Sequence, residues 1–252
     1  YRMKKGKQLE LRKEMEEDAN DYVHDLEQSN LIYDDVVLED YIHCLLLDIL
    51  PNEMLVNTGN TLQVKIYKSP SPDIILLSNG CLLLSTGMIS ALDNEDELVA
   101  ILSREVSHYV LDHSVINYNK NIARMNRAQF WGGVLNAAMG AVDDALTEKY
   151  EYYPTGALYI ASDVVNALIC DDVEKRMGLD YSEKQEKESD KMALGFLEFS
   201  GKDKNALPSA LERIGNYYVQ ENDMLPLKKW NSLGTLMTRL TKMKPYSMME
   251  QN

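Results

Sequence analysis

The stretch ILSREVSHYVLDH, residues 101–113, carries the densest chemistry in the chain. Arg104 and His108 are four residues apart, so on a helix they differ by about 40° in direction and share a face. Glu105 is turned by about 100° from Arg104. Two imidazoles at this four-residue spacing can hold a zinc ion, while a carboxylate next to the first takes a proton from metal-bound water. His108 and Glu105 have the types for the second imidazole and the general base. Arg104 cannot supply the first, because a guanidinium stays protonated and has no lone pair to give. His113 does not repair the gap by simple geometry. It lies nine residues from Arg104, about half a turn around the helix, and meets His108 at one ion only if the helix bends.

A catalytic zinc needs a third protein ligand. The segment DYSEKQEKESDKMALGF, residues 180–196, opens a second helix rich in acids: Glu183, Glu186, Glu188 and Asp190. Glu186 and Asp190 share a face. Glu186 has the chemistry of a metal ligand, and an acid one turn on can orient a ligating side chain. The same acids also suit the solvated first turn of a helix, where the dipole favours negative charge.

The elements that must position these groups read as α+β, with a small antiparallel sheet among many helices. TLQVKIYKS (61–69) alternates as a strand. Runs 73–78 and 81–86 flank Asn79-Gly80, the signature of a two-residue hairpin turn, and so read as antiparallel neighbours. A short helix over 87–92 precedes a second over 95–113, with Asn94 as its cap and Glu97 three residues on, a capping-box-like pattern. Further helices are expected over 8–29, 37–50 (stopping at Pro51), 116–147, 157–176, 182–200, 206–223 and 229–242. This divides the chain into a charged helical segment (1–36), a main domain (37–242) and a loosely held tail (243–252).

Of the 252 residues, 45% are hydrophobic, enough for a substantial core. The net charge of −14 argues against nucleic acid, whose binders need a basic surface to displace counterions. No apolar run reaches the length of a membrane span; the nearest, FWGGVLNAAMGAV at 130–142, is too short. Cys44, Cys81 and Cys170 are widely spaced in apolar contexts and read as core thiols, not a disulfide framework. The sequence begins at Tyr1, which leaves room for a preceding leader or lipid anchor.

Taken together, SNGCLLLSTGMISALDNEDELVAILSREVSHYVLDH (78–113), YSEKQEKESD (181–190) and, more weakly, GKDKNALPSALERI (201–214) resemble the zinc metallopeptidases that include the CAAX prenyl protease and the HtpX heat-shock protease. The resemblance covers roughly residues 37–215. It implies a mostly helical, zincin-like fold and a zinc cofactor. It implies His108 as the second ligand, Glu105 as general base, Glu186 as the third ligand and Asp190 as the carboxylate that orients it. Strand 81–86 would be the edge strand against which an extended peptide pairs. An extracytoplasmic location, periplasmic or secreted, goes with the resemblance.

Four departures stand out. Arg104 occupies the first ligand position, Ser189 replaces the alanine of the E-x-x-A-D pattern, Glu183 stands where an arginine is common, and no histidine follows His113. The expectation is therefore a degenerate metallopeptidase-like domain with weak or absent zinc binding, whose partners are peptide or protein segments. The alternative is an active or weakly active zinc-dependent endopeptidase with Glu105 as general base.

Overall fold

The computed structural model describes residues 5–50, 62–121 and 177–220. Residues 122–147 of the helix expected over 116–147, the expected helices over 157–176 and 229–242, the end of the one expected over 206–223, the tail 243–252, the apolar stretch 130–142 and Cys170 lie outside these residues. Among the described residues no helix is long and apolar enough to cross a membrane.

The architecture is α+β: seven helices among the described residues and a three-stranded sheet. Helix α1 (Lys5–Gln28) precedes α2 (Val36–Ile49), which Asp35 caps by accepting from the Leu38 N–H at 3.1 Å. Strands β1 (Gln63–Tyr67), β2 (Ile74–Leu76) and β3 (Cys81–Ser85) follow. Then come α3 (Thr86–Ala91), α4 (Glu95–Val110), α5 (His113–Asn121), α6 (Glu183–Phe199) and α7 (Ala206–Gln220).

The sheet is mixed, not antiparallel as expected. β2 and β3 form the hairpin that Asn79-Gly80 announces, with Gly80 at φ 83° and the Asn79 side chain accepting from the Cys81 N–H at 3.0 Å. β1 pairs parallel with β3, in the order β1-β3-β2. The reason lies in burial. All five residues of β3 are buried, so this strand needs partners on both edges, and β2 is only three residues long. Two chain reversals separate β1 from β3, which makes them run the same way. Strand 81–85 is thus the central strand, and the expectation that it offers a free edge to a peptide does not hold.

One apolar core joins α2, the sheet, α4, α6 and α7 around Ile42, Leu46, Leu84, Ile101, Leu197 and Leu211. α1 docks elsewhere. Its Leu11 and Met15 pack on Val115 and Tyr118 of α5, and the buried Tyr118 hydroxyl donates to Asp18 at 2.7 Å. Cys81 is buried and its thiol is pushed up to about 12 by burial, as fits a core thiol; Cys44 is exposed, contrary to expectation.

Candidate functional site

Asn94 starts α4 by accepting the Glu97 N–H at 2.9 Å. The capping box is not closed in the usual way, because the Glu97 carboxylate accepts from the Asp93 N–H, one residue earlier. Glu97 also accepts from Ser209 Oγ at 2.6 Å and Arg213 Nε at 3.0 Å, which anchors the start of α4 to α7. Burial works against the charge of Glu97, but these donors outweigh it and hold its carboxyl below the ordinary range.

One face of α4 lies on α6. Ser189 is fully buried between them and its hydroxyl donates to the Arg104 carbonyl at 2.8 Å. Its small side chain lets the helices approach closely. Ser182 caps α6, completing a capping box with Gln185, and so sets the register at which Glu186 and Asp190 face α4.

That register brings Arg104, Glu105, His108, Glu186 and Asp190 together in the interior, each of them buried. Arg104 Nη1 donates to Glu105 Oε1 at 2.7 Å, and its Nη2 donates to Glu186 Oε2. Asp190 Oδ1 stands 3.7 Å from Arg104 Nε. Burial opposes the guanidinium charge, but Glu186, Glu105 and Asp190 more than offset it and hold Arg104 above its ordinary value. It is a fixed cation. His108 Nε2 lies 3.9 Å from Glu186 Oε1, beyond hydrogen-bonding reach.

His113 departs from the expectation. α4 stops at Val110, Asp112 takes a left-handed conformation at φ 56°, and α5 restarts at His113. The helix does break, and His113 Nδ1 comes within 3.1 Å of His108 Nδ1. Asp112 tolerates this conformation better than most residues and is held by two 2.7 Å bonds from Arg12. Burial pushes the His113 imidazole down, against the pull of Glu188, whose carboxylate is 3.4 Å from its Nε2.

The segment before α6 completes the surroundings. Gly178, at φ 71°, lies so close to α5 that a Cβ there would overlap the Ser114 carbonyl. This approach sets Tyr181 on His108, the rings stacked 3.7 Å apart at 24°. Gln185 donates to Asn117 Oδ1 at 3.1 Å, tying α6 to α5. Neither His113 nor Tyr181 was visible as a site residue from helical spacing. The only sequence signal was Asp112, a residue type suited to ending a helix.

As arranged, these side chains do not suit a zinc ion. Glu105 and Glu186 both accept from the guanidinium, and a cation placed among them would meet its charge. Among the described residues no group of three or more histidine, cysteine, aspartate or glutamate side chains is disposed to hold a metal.

No curated protein matches the sequence. Residues 39–239 match the family model described as Peptidase family M48.

Proposed function

The chain belongs to peptidase family M48, and from that footing we propose that it is a degenerate member that binds peptide or protein segments, with impaired or absent zinc binding. Arg104 takes the place of the first ligand histidine. The single observation carrying this reading is the guanidinium bonded at once to Glu105 and Glu186, side chains that a zinc peptidase would need as base and ligand. The arginine gathers the carboxylates much as a metal ion would, and its planar fork suits two carboxylates well. It then stays, because an unpaired charge in this interior is costly.

The chemistry follows from the pairing. Glu105 Oε1 accepts a hydrogen bond from Arg104 Nη1, so the carboxylate that would act as base is already engaged by a permanent cation. A general base must reach the proton it abstracts, and an oxygen held by the guanidinium is less free to do so. His108, stacked on Tyr181 and close to His113, contributes packing and hydrogen bonding in this reading.

The second reading, an active or weakly active zinc-dependent endopeptidase with Glu105 as general base, draws on one observation. His113 supplies a second imidazole beside His108. For that reading to hold, the metal must compete with Arg104 for Glu186. Metal analysis of protein purified without chelator, with cleavage of an unfolded protein substrate measured in parallel, separates the two. Substoichiometric zinc and no cleavage are expected. Stoichiometric zinc with cleavage that Glu105→Gln abolishes would favour the enzyme.

A further inference from the structure

Helix α2 is apolar on two opposite faces. Ile42, Leu45, Leu46 and Ile49 point into the core. The outward face carries Val36, Val37, Tyr41 and Leu47, with Val36 63% and Val37 81% exposed. The exposure is also concentrated. Of the nine large exposed hydrophobic residues among those described, five lie on α2 or, as Tyr33, just ahead of it. Single exposed apolar side chains need no explanation, but a contiguous patch marks an interaction site.

Charge says what kind of partner fits. Asp40 and Asp48 are exposed on the same outward face, and Asp34 is exposed just before the helix. The Tyr41 hydroxyl donates to Glu95 at 2.5 Å, which places another carboxylate at the rim. Lys202 at this edge is already paired with Glu95 at 2.5 Å and Asp96 at 3.4 Å. Lys65, near the other edge, is paired with Glu27 at 2.7 Å.

We propose that the outward face of α2 is a docking surface for a basic amphipathic helix of a partner protein. Val37, Tyr41 and Cys44 follow one another at helical spacing and form an apolar stripe against which a second helix can lie. Asp40 lies beside this stripe and Asp48 continues it one turn beyond Cys44, so the carboxylates select lysine and arginine at the facing positions of the partner. Like charges disfavour the other occupants. A second copy would bring Asp40 and Asp48 against the same residues, and an anionic lipid surface would repel them. This inference is independent of the Arg104 cluster.

The test uses the full chain and a labelled synthetic helix with leucine on one face and lysine on the other, followed by fluorescence anisotropy at physiological ionic strength. The wild-type protein should bind it. Val37→Ser with Leu47→Ser, which keeps the charge, and Asp40→Asn with Asp48→Asn, which keeps the apolar stripe, should each weaken binding by about tenfold or more. Phe199→Ser, an exposed apolar residue elsewhere, should leave binding unchanged. No binding by the wild type, or equal binding by all variants, overturns the proposal. Self-association lost in the Val37→Ser/Leu47→Ser protein would assign the face to a second copy. Capture by phosphatidylglycerol vesicles through the same residues would assign it to lipid. Either result also overturns the proposal.

Discussion

Arg104 and Glu186, 82 positions apart in the chain, are bonded guanidinium to carboxylate in an interior where they are 3% and 1% exposed. This contact joins α4 to α6. Removing one partner of a buried ion pair leaves the other charged and unpaired. Glu186→Ala should therefore destabilise the fold by about 3–5 kcal/mol. Urea denaturation measures it, and a double-mutant cycle with Arg104→Met should show strong coupling. A loss under about 1 kcal/mol would mean that water or a neighbour takes over the guanidinium.

Ser189 offers a finer probe of the same interface. Ser189→Ala removes one hydrogen bond to the Arg104 carbonyl and should cost about 0.5–1.5 kcal/mol. Ser189→Val adds bulk between two packed helices and should cost more, about 1–3 kcal/mol. The reverse order would show that helix approach at this point is not tight.

The left-handed Gly178 is predicted to be intolerant of a side chain. Gly178→Ala should cost about 1–3 kcal/mol, and should loosen the Tyr181 ring from His108. Thermal unfolding gives the first effect. The second appears as a smaller ring-current displacement of the His108 proton resonances. An alanine variant of wild-type stability would contradict the close packing on Ser114.

Glu97 should give the fold part of its acid sensitivity. Its carboxyl is held below the ordinary value of 4.5 in the folded chain. A depressed folded pKa contributes stability that is complete above the unfolded value and is lost as pH falls through the folded one. Glu97→Gln should therefore lower stability at neutral pH and flatten its decline below about pH 4.5. Chemical denaturation across that range checks it. Parallel curves for the two proteins would place the acid sensitivity elsewhere.

Local chemistry was the legible part of the sequence. Asn94 caps α4, Asn79-Gly80 turns the hairpin, and the four-residue spacings put Arg104 beside His108 and Glu186 beside Asp190 on their helices. Pairings between distant segments were less legible. Nothing local in 61–69 says that this strand runs parallel to 81–85, because the pairing follows from the need of β3 for a partner on its second edge and the direction from the two chain reversals between them. His113 was misjudged for a related reason. The helical wheel assumes an unbroken helix, whereas Asp112 leaves it with the help of Arg12, a hundred residues away. Tyr181 is placed by Gly178 against α5, another contact with no signature in its own neighbourhood.

The central claim, that Arg104 stands in for a zinc ligand, is tested most directly by zinc calorimetry on the wild type and on Arg104→His. The substitution creates a pair of imidazoles four residues apart, leaves Glu186 available as third ligand and removes a fixed positive charge. Zinc affinity is expected to rise by at least about a hundredfold, about 2.7 kcal/mol, with metal binding recovering more fully than proteolysis, since no histidine follows His113 to assist developing charge. Equal zinc affinities for the two proteins would contradict the claim.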